Sequence, residues 1–172
     1  NQNQDKKPLA YRYRPKTLEE FAGQKNIVGD KGVLKKILIK SRFMNSIFWG
    51  PSGTGKTTLA EIVAEQLNYY YEYLNATKAS VNDIKEIAEK AKKRFSIEGK
   101  QTILFFDEIH RFNKLQQDSL LHDIEIGNII LIGATTENPY FNLNNALLSR
   151  CLMFEFKKLD KEDIFGILRY LT

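Results

Sequence analysis

Gly50-Pro51-Ser52-Gly53-Thr54-Gly55-Lys56-Thr57 satisfies the pattern G-x-x-x-x-G-K-[ST] in full, and few eight-residue strings restrict a fold as tightly. It follows a short apolar run at Ser46–Trp49. It opens a helix with Leu59, Ile62, Val63 and Leu67 on one face, so it sits in the strand–loop–helix context that the motif requires. The glycines let successive backbone N–H groups converge on an anion. The helix that follows adds the positive end of its dipole. The expected ligand is a nucleoside triphosphate, held by Pro51, Ser52, Gly53, Thr54, Gly55, Lys56, Thr57 and Thr58. Lys56 is placed for the β and γ oxygens and the Thr57 hydroxyl for Mg2+.

The remaining pattern alternates strands with helices. Thr17 with Glu20 is a capping pair, and Asp30–Lys40 is helical in pattern. Tyr69, Tyr71 and Tyr73 alternate as in a strand. Ser80 with Asp83 opens a helix carrying Ile84, Ile87, Ala88, Ala91 and Phe95. Lys92, Lys93 and Arg94 are expected near its C-terminal end, where cations suit the dipole. Ile103–Phe106 and Ile129–Ile132 are continuous apolar runs, as in strands buried on both faces. Gln116–Ile124 predicts a helix, Ala146–Arg150 the end of a short one, and Leu152–Phe156 a last strand. This alternation predicts an α/β fold with a parallel five-stranded sheet between helices.

Composition narrows the class. The chain has 172 residues, 42% hydrophobic and 27% charged, which is one globular domain and not a disordered segment. The longest apolar runs are too short for a membrane-spanning helix. A single cysteine excludes an internal disulfide, and with two histidines it disfavours a closed zinc site. The net charge of +5 is modest and spread along the chain. The polar start at Asn1–Lys7 and a helical pattern from Asp163 that stops at Thr172 suggest a piece of a longer protein.

Three further segments carry chemistry. Asp107 and Glu108 follow directly on the Ile103–Phe106 run, at the ligand edge of a parallel sheet. Asp107 suits Mg2+ through its water shell. Glu108 suits orientation of a water for in-line attack on the γ-phosphorus, although an acid pair after a core strand is also simply a solvated loop. Thr136 is the first candidate to hydrogen-bond the γ-phosphate or that water, and Thr135 the second; a turn or cap residue is the alternative. Arg150 precedes its strand and so lies at the opposite edge. It serves either a neighbouring subunit's γ-phosphate or a surface ion pair. His110 reads as structural, Tyr69–Tyr71 as strand packing, and Arg111 and Lys114 as either phosphate contacts or solvated surface.

In this order the motifs resemble an AAA+ ATPase, a P-loop NTPase whose ATPase core carries a small helical lid. Trp49 before the loop, Asp107–Leu121 (DEIHRFNKLQQDSLL) and Gly133–Arg150 (GATTENPYFNLNNALLSR) resemble the replication-associated recombination protein A family, the bacterial relatives of the Werner-helicase-interacting protein. So do Pro8-Leu9-Ala10, Arg12, Arg14-Pro15, Leu18 and Gly23-Gln24 on the adenine side. The likeness runs from about Pro8 to about Ile167. Ser52, Tyr13 and the Asn75–Ser80 turn depart from the family pattern. Asn75 is either a polar restraint on Glu108 or a strand-end cap.

The resemblance implies an N-terminal extension over 1–16, an ATPase core over 17–157 and the start of a lid over 158–172. It implies an adenine pocket using Arg14, Pro15, Ile27 and Val28, Arg150 acting in trans, and ATP with Mg2+ as cofactors. It further implies DNA-coupled ATP hydrolysis at stalled or damaged replication forks, on single-stranded or forked DNA. Single-strand-binding protein as a partner, a homo-oligomer when full length, a cytoplasmic, nucleoid-associated setting and no membrane also follow from it. With the lid sensor arginine expected beyond Thr172, poor hydrolysis by this segment is expected. A clamp-loader ATPase subunit and a structural subunit that binds ATP without splitting it are the alternatives.

Overall fold

Ile103, Leu104, Phe105 and Phe106 are all completely buried, and their alternation divides them between two cores. Ile103 and Phe105 pack on one face of the sheet, Leu104 and Phe106 on the other, as the twofold period of a strand dictates. The computed structural model describes residues 43–158. The Thr17–Glu20 cap, the Asp30–Lys40 helix, Arg14, Pro15, Ile27, Val28 and the helix from Asp163 lie outside them, as do the expected boundaries at 16 and 17.

The strands are β1 (Ser46–Trp49), β2 (Tyr70–Asn75), β3 (Thr102–Asp107), β4 (Ile129–Thr135) and β5 (Leu152–Glu155). They form a five-stranded parallel sheet in the order β2-β3-β4-β1-β5. Helix α1 (Lys56–Leu67) lays Leu59, Ile62 and Val63 against Phe48, Phe105, Ile132 and Phe156 on one face. Helices α2 (Val81–Glu98), α3 (Lys114–Ile126) and α5 (Asn145–Arg150) cover the other face. There Ile84, Ile87, Leu120, Ile124 and Leu147 meet Ile47, Leu104, Phe106 and Leu131. Each such side chain, fully buried, contributes about 1.5–3 kcal/mol. A one-turn helix α4 (Pro139–Asn142) follows β4, with Asn138 as its N-cap.

Local caps fix the starts of the longer helices. The Ser80 hydroxyl accepts the Asp83 N–H at 3.2 Å, and the Asp83 carboxylate accepts the Ser80 N–H at 2.8 Å. Asn113 and Gln116 repeat this for α3 at 2.8 and 2.9 Å, so α3 begins before the predicted Gln116. A cap of this kind is worth about 1 kcal/mol.

The placement of Lys92, Lys93 and Arg94 needs correcting. Helix α2 continues to Glu98, and its last turn holds no basic residue. Arg94 instead pairs with Glu72 of β2 at 3.1 Å and lies 4.3 Å from the centre of the Tyr70 ring. Among the described residues no helix is long and apolar enough to cross a membrane.

Candidate active site

The loop after β1 is shaped by what surrounds it. Gly50 has φ +144°, and a Cβ there would lie 2.1 Å from the Phe156 carbonyl oxygen. Only glycine fits this approach. The Gly50 N–H donates to the Thr135 carbonyl at 3.0 Å, tying the loop to β4. Gly55, at φ +95°, is the N-cap of α1 and has no side chain to cap with, so the first amides of the helix face the cleft unobstructed. The Lys56 ammonium donates to the Gly50 and Pro51 carbonyls at 2.5 and 2.8 Å. Burial pulls its pKa below the usual lysine value, and the Asp107 charge partly restores it.

Because β4 lies between β1 and β3, three chain ends meet around one opening. Ser52, Gly53, Thr54, Gly55, Lys56, Thr57 and Thr58 line a cleft of about 360 Å3 together with Asp107, Glu108, Thr135 and Thr136. This is the crevice beyond the carboxyl ends of the strands where open α/β sheets bind ligands. Pro51 does not line it; its carbonyl holds Lys56 and also accepts the Thr54 hydroxyl at 2.7 Å.

Asp107 is gripped from two sides. Its Oδ1 accepts the Glu108 N–H at 3.0 Å, and its Oδ2 accepts the Tyr73 hydroxyl at 2.8 Å. Burial, then the bond to Asp107, pushes the Tyr73 phenol above its ordinary pKa. Glu108 has φ +53° and ψ +42°, the left-handed region that a glutamate enters only at a cost of about 1–2 kcal/mol. Strain of this kind gathers at functional sites. The Asn75 side-chain oxygen accepts the Thr77 N–H and hydroxyl at 2.9 and 2.7 Å, which is the strand-end cap.

The two threonines differ in surroundings. Thr135 is buried, with its hydroxyl 2.8 Å from His110 Nδ1 and accepting the Glu137 N–H at 3.0 Å. Thr136 is exposed on the cleft wall. His110 thus serves β4 and the turn after β3. Neither its bond nor that of Tyr73 was foreseen from sequence, although the Tyr69–Tyr71–Tyr73 alternation placed Tyr73 on a strand.

Arg150 stands apart. It closes α5 just before β5, whose first residue pairs with Ser46 at the start of β1. Its guanidinium donates to the Ala146 carbonyl at 3.0 Å and lies 3.4 Å from Glu125, half exposed. It lines a second depression with Asn45, Glu125 and Asn128, on the edge opposite the loop.

The donors fit Mg2+. Among the side chains lining the cleft are the Thr57 hydroxyl and the carboxylates of Asp107 and Glu108. Among the described residues no cluster of three or more His, Cys, Asp or Glu forms a metal cage. Mg2+ is a hard cation that keeps waters and takes phosphate oxygens with one or two carboxylates, so this sparse oxygen set suits it.

Residues 46–159 match the family model described as the ATPase family associated with various cellular activities (AAA). The chain is 50% identical over 162 residues to a Dictyostelium discoideum protein named ATPase WRNIP1, covering 94% of this chain and 18% of that protein. It is 48% identical over 166 residues to replication-associated recombination protein A of Coxiella burnetii, covering 96% of this chain and 37% of that protein. It thus spans well under half the length of either. Among solved structures, the Thermotoga maritima RuvB Holliday junction branch migration motor superposes with a TM-score of 0.73 at 29% identity, over 92% of this chain and 53% of that chain.

Proposed function

The chain belongs to the AAA family of ATPases, and from that premise we propose that it binds ATP with Mg2+ and hydrolyses it to ADP and phosphate, as the motor segment of a protein acting on DNA at stalled or damaged replication forks. One observation carries the chemistry: Lys56, Thr57, Asp107, Glu108 and Thr136 line a single cleft.

In this proposal the loop amides and the N-terminus of α1 receive the phosphates. Lys56 exchanges the carbonyls of Gly50 and Pro51 for β and γ oxygens. Mg2+, when bound beside Thr57 and Asp107, supplies charge neutralisation for the leaving diphosphate. The Glu108 carboxylate accepts a hydrogen bond from the attacking water and aims its oxygen at the γ-phosphorus. Thr136 donates to the γ-phosphoryl oxygens as charge builds there. Arg150, remote from its own cleft, serves a neighbouring subunit's γ-phosphate in a homo-oligomer. Arg14, Pro15, Ile27 and Val28 are proposed for the adenine.

The replication role rests on the curated relatives named for replication-associated recombination and on identities of 46–50% over nearly the whole chain. Single-stranded or forked DNA is the proposed effector and single-strand-binding protein a proposed partner. The deciding experiment is the ATPase rate of the full-length protein with and without single-stranded and forked DNA. Stimulation by DNA is expected; a rate indifferent to both would remove the DNA coupling. Lys56→Ala should abolish ATP binding. Glu108→Gln should keep binding and lose turnover, and unchanged turnover would remove Glu108 as the water-orienting acid.

A further inference from the structure

We propose that Tyr73 is a positioning residue for the metal-facing carboxylate of Asp107, and so sets how strongly the site couples Mg2+ to nucleotide. The inference rests on the ATPase reading above and adds a residue to it.

The reach of Tyr73 follows from strand register. β2 and β3 are parallel, with Tyr73 opposite Phe105 and Asn75 opposite Asp107. Tyr73 and Asp107 therefore share a face as diagonal neighbours, a separation that an aromatic side chain can span. The Tyr73 ring lies over Phe105 at 5.8 Å between centroids and 12° between planes. Phe105 is completely buried, so the ring rests on a rigid floor and its hydroxyl projects along β3 to Asp107 Oδ2 at 2.8 Å.

With the Glu108 N–H on Oδ1 at 3.0 Å, each carboxylate oxygen carries one donor. The plane of the group is fixed, and the second lone pair on each oxygen remains for the water shell of a cation. Without the phenol, one oxygen is held and the carboxylate can turn about its terminal torsion, which is broad for aspartate. A hydrogen bond to a charged acceptor is among the stronger kinds. Because Tyr73 is 45% exposed, solvent weakens the effect, so a moderate change is expected.

The test uses Tyr73→Phe in the full-length protein, which keeps the ring and its stack on Phe105. The equilibrium readout is affinity for a fluorescent ATP analogue in EDTA and in Mg2+, alongside the Mg2+ dependence of hydrolysis and the thermal midpoint. Expected are an unchanged midpoint, unchanged affinity in EDTA, and a gain of affinity on adding Mg2+ smaller by about threefold to tenfold. The Mg2+ concentration for half-maximal hydrolysis should rise by a similar factor. Tyr73→Leu, which removes ring and hydroxyl together, should show the same Mg2+ shift on top of any loss of stability. A Mg2+ response in Tyr73→Phe equal to wild type overturns the proposal while leaving the ATPase reading intact. Failure of the wild-type protein to bind or hydrolyse ATP overturns that reading instead. Equal losses in EDTA and in Mg2+ would mean that Tyr73 is only a structural support, and would also overturn it.

Discussion

The Thr135 hydroxyl and His110 Nδ1 lie 2.8 Å apart and join the end of β4 to the short turn after β3. Both groups are nearly enclosed, so the bond stands where water cannot replace it. Thr136, one residue on, has no such partner and faces the cleft. The pair should separate stability from catalysis. Thr135→Val keeps the shape but strands the imidazole nitrogen, and is expected to cost about 1–3 kcal/mol. Thr136→Val should leave the melting temperature unchanged and lower turnover by about a hundredfold. Thermal denaturation and steady-state ATPase rates on both variants check this; a stable Thr135→Val would show the His110 contact to be dispensable.

Gly50 gives a second separation. An added Cβ would meet the Phe156 backbone at 2.1 Å, and φ +144° is closed to other residues. Gly50→Ala should therefore destabilise the fold by about 3 kcal/mol or more. At Gly133 the atoms nearest an added Cβ would be the Cδ1 atoms of Ile109 and Ile47, both at 2.8 Å. Those are flexible tips, so Gly133→Ala should cost less, about 1–3 kcal/mol for overpacking. Chemical denaturation of the two variants ranks them; the reverse order would contradict the fold around the phosphate loop.

How far the site can be read from sequence depends on how far apart its partners lie. Lys56 and Thr57 are legible because their spacing to the glycines is local. Asp107 and Glu108 are legible because they end a run of apolar residues. Tyr73 is not, because its bond to Asp107 spans 34 positions and depends on the register of β2 against β3. His110 and Thr135 are 25 positions apart and meet only when β3 and β4 pair. The end of α2 escaped for a different reason. Its last turn faces water, with Ile97 82% exposed, so no apolar periodicity extends past Phe95 to mark it. The adenine-side residues fall outside 43–158 and rest on the resemblance alone.

Cys151 should be chemically quiet. Burial pushes its thiol up to about 12, well above the ordinary thiol range, against a smaller opposing pull from Arg150. The thiolate is the reactive form, and each unit of that rise lowers its population tenfold. Alkylation by iodoacetamide at pH 8 should therefore run about a thousandfold slower in the folded protein than in the urea-unfolded chain. Mass spectrometry over time reads this directly, and equal labelling rates in the two states would contradict the burial of the thiol.

Arg150 tests the proposed trans arrangement. Its contact with Glu125 is half exposed at 3.4 Å, and such surface pairs are worth about 0–1 kcal/mol. Arg150→Ala should therefore leave the folding stability of each subunit nearly unchanged. If the guanidinium completes a neighbour's site, the same change should lower turnover of the oligomer by about 10³-fold or more while ATP affinity holds. Mixing supplies the decisive control. Arg150→Ala subunits keep an intact Glu108, and Glu108→Gln subunits keep an intact Arg150, so a mixed oligomer contains composite sites with both groups. Turnover should reappear on mixing two inactive proteins; its absence, with mixed oligomers demonstrated, would return Arg150 to the role of a surface ion pair.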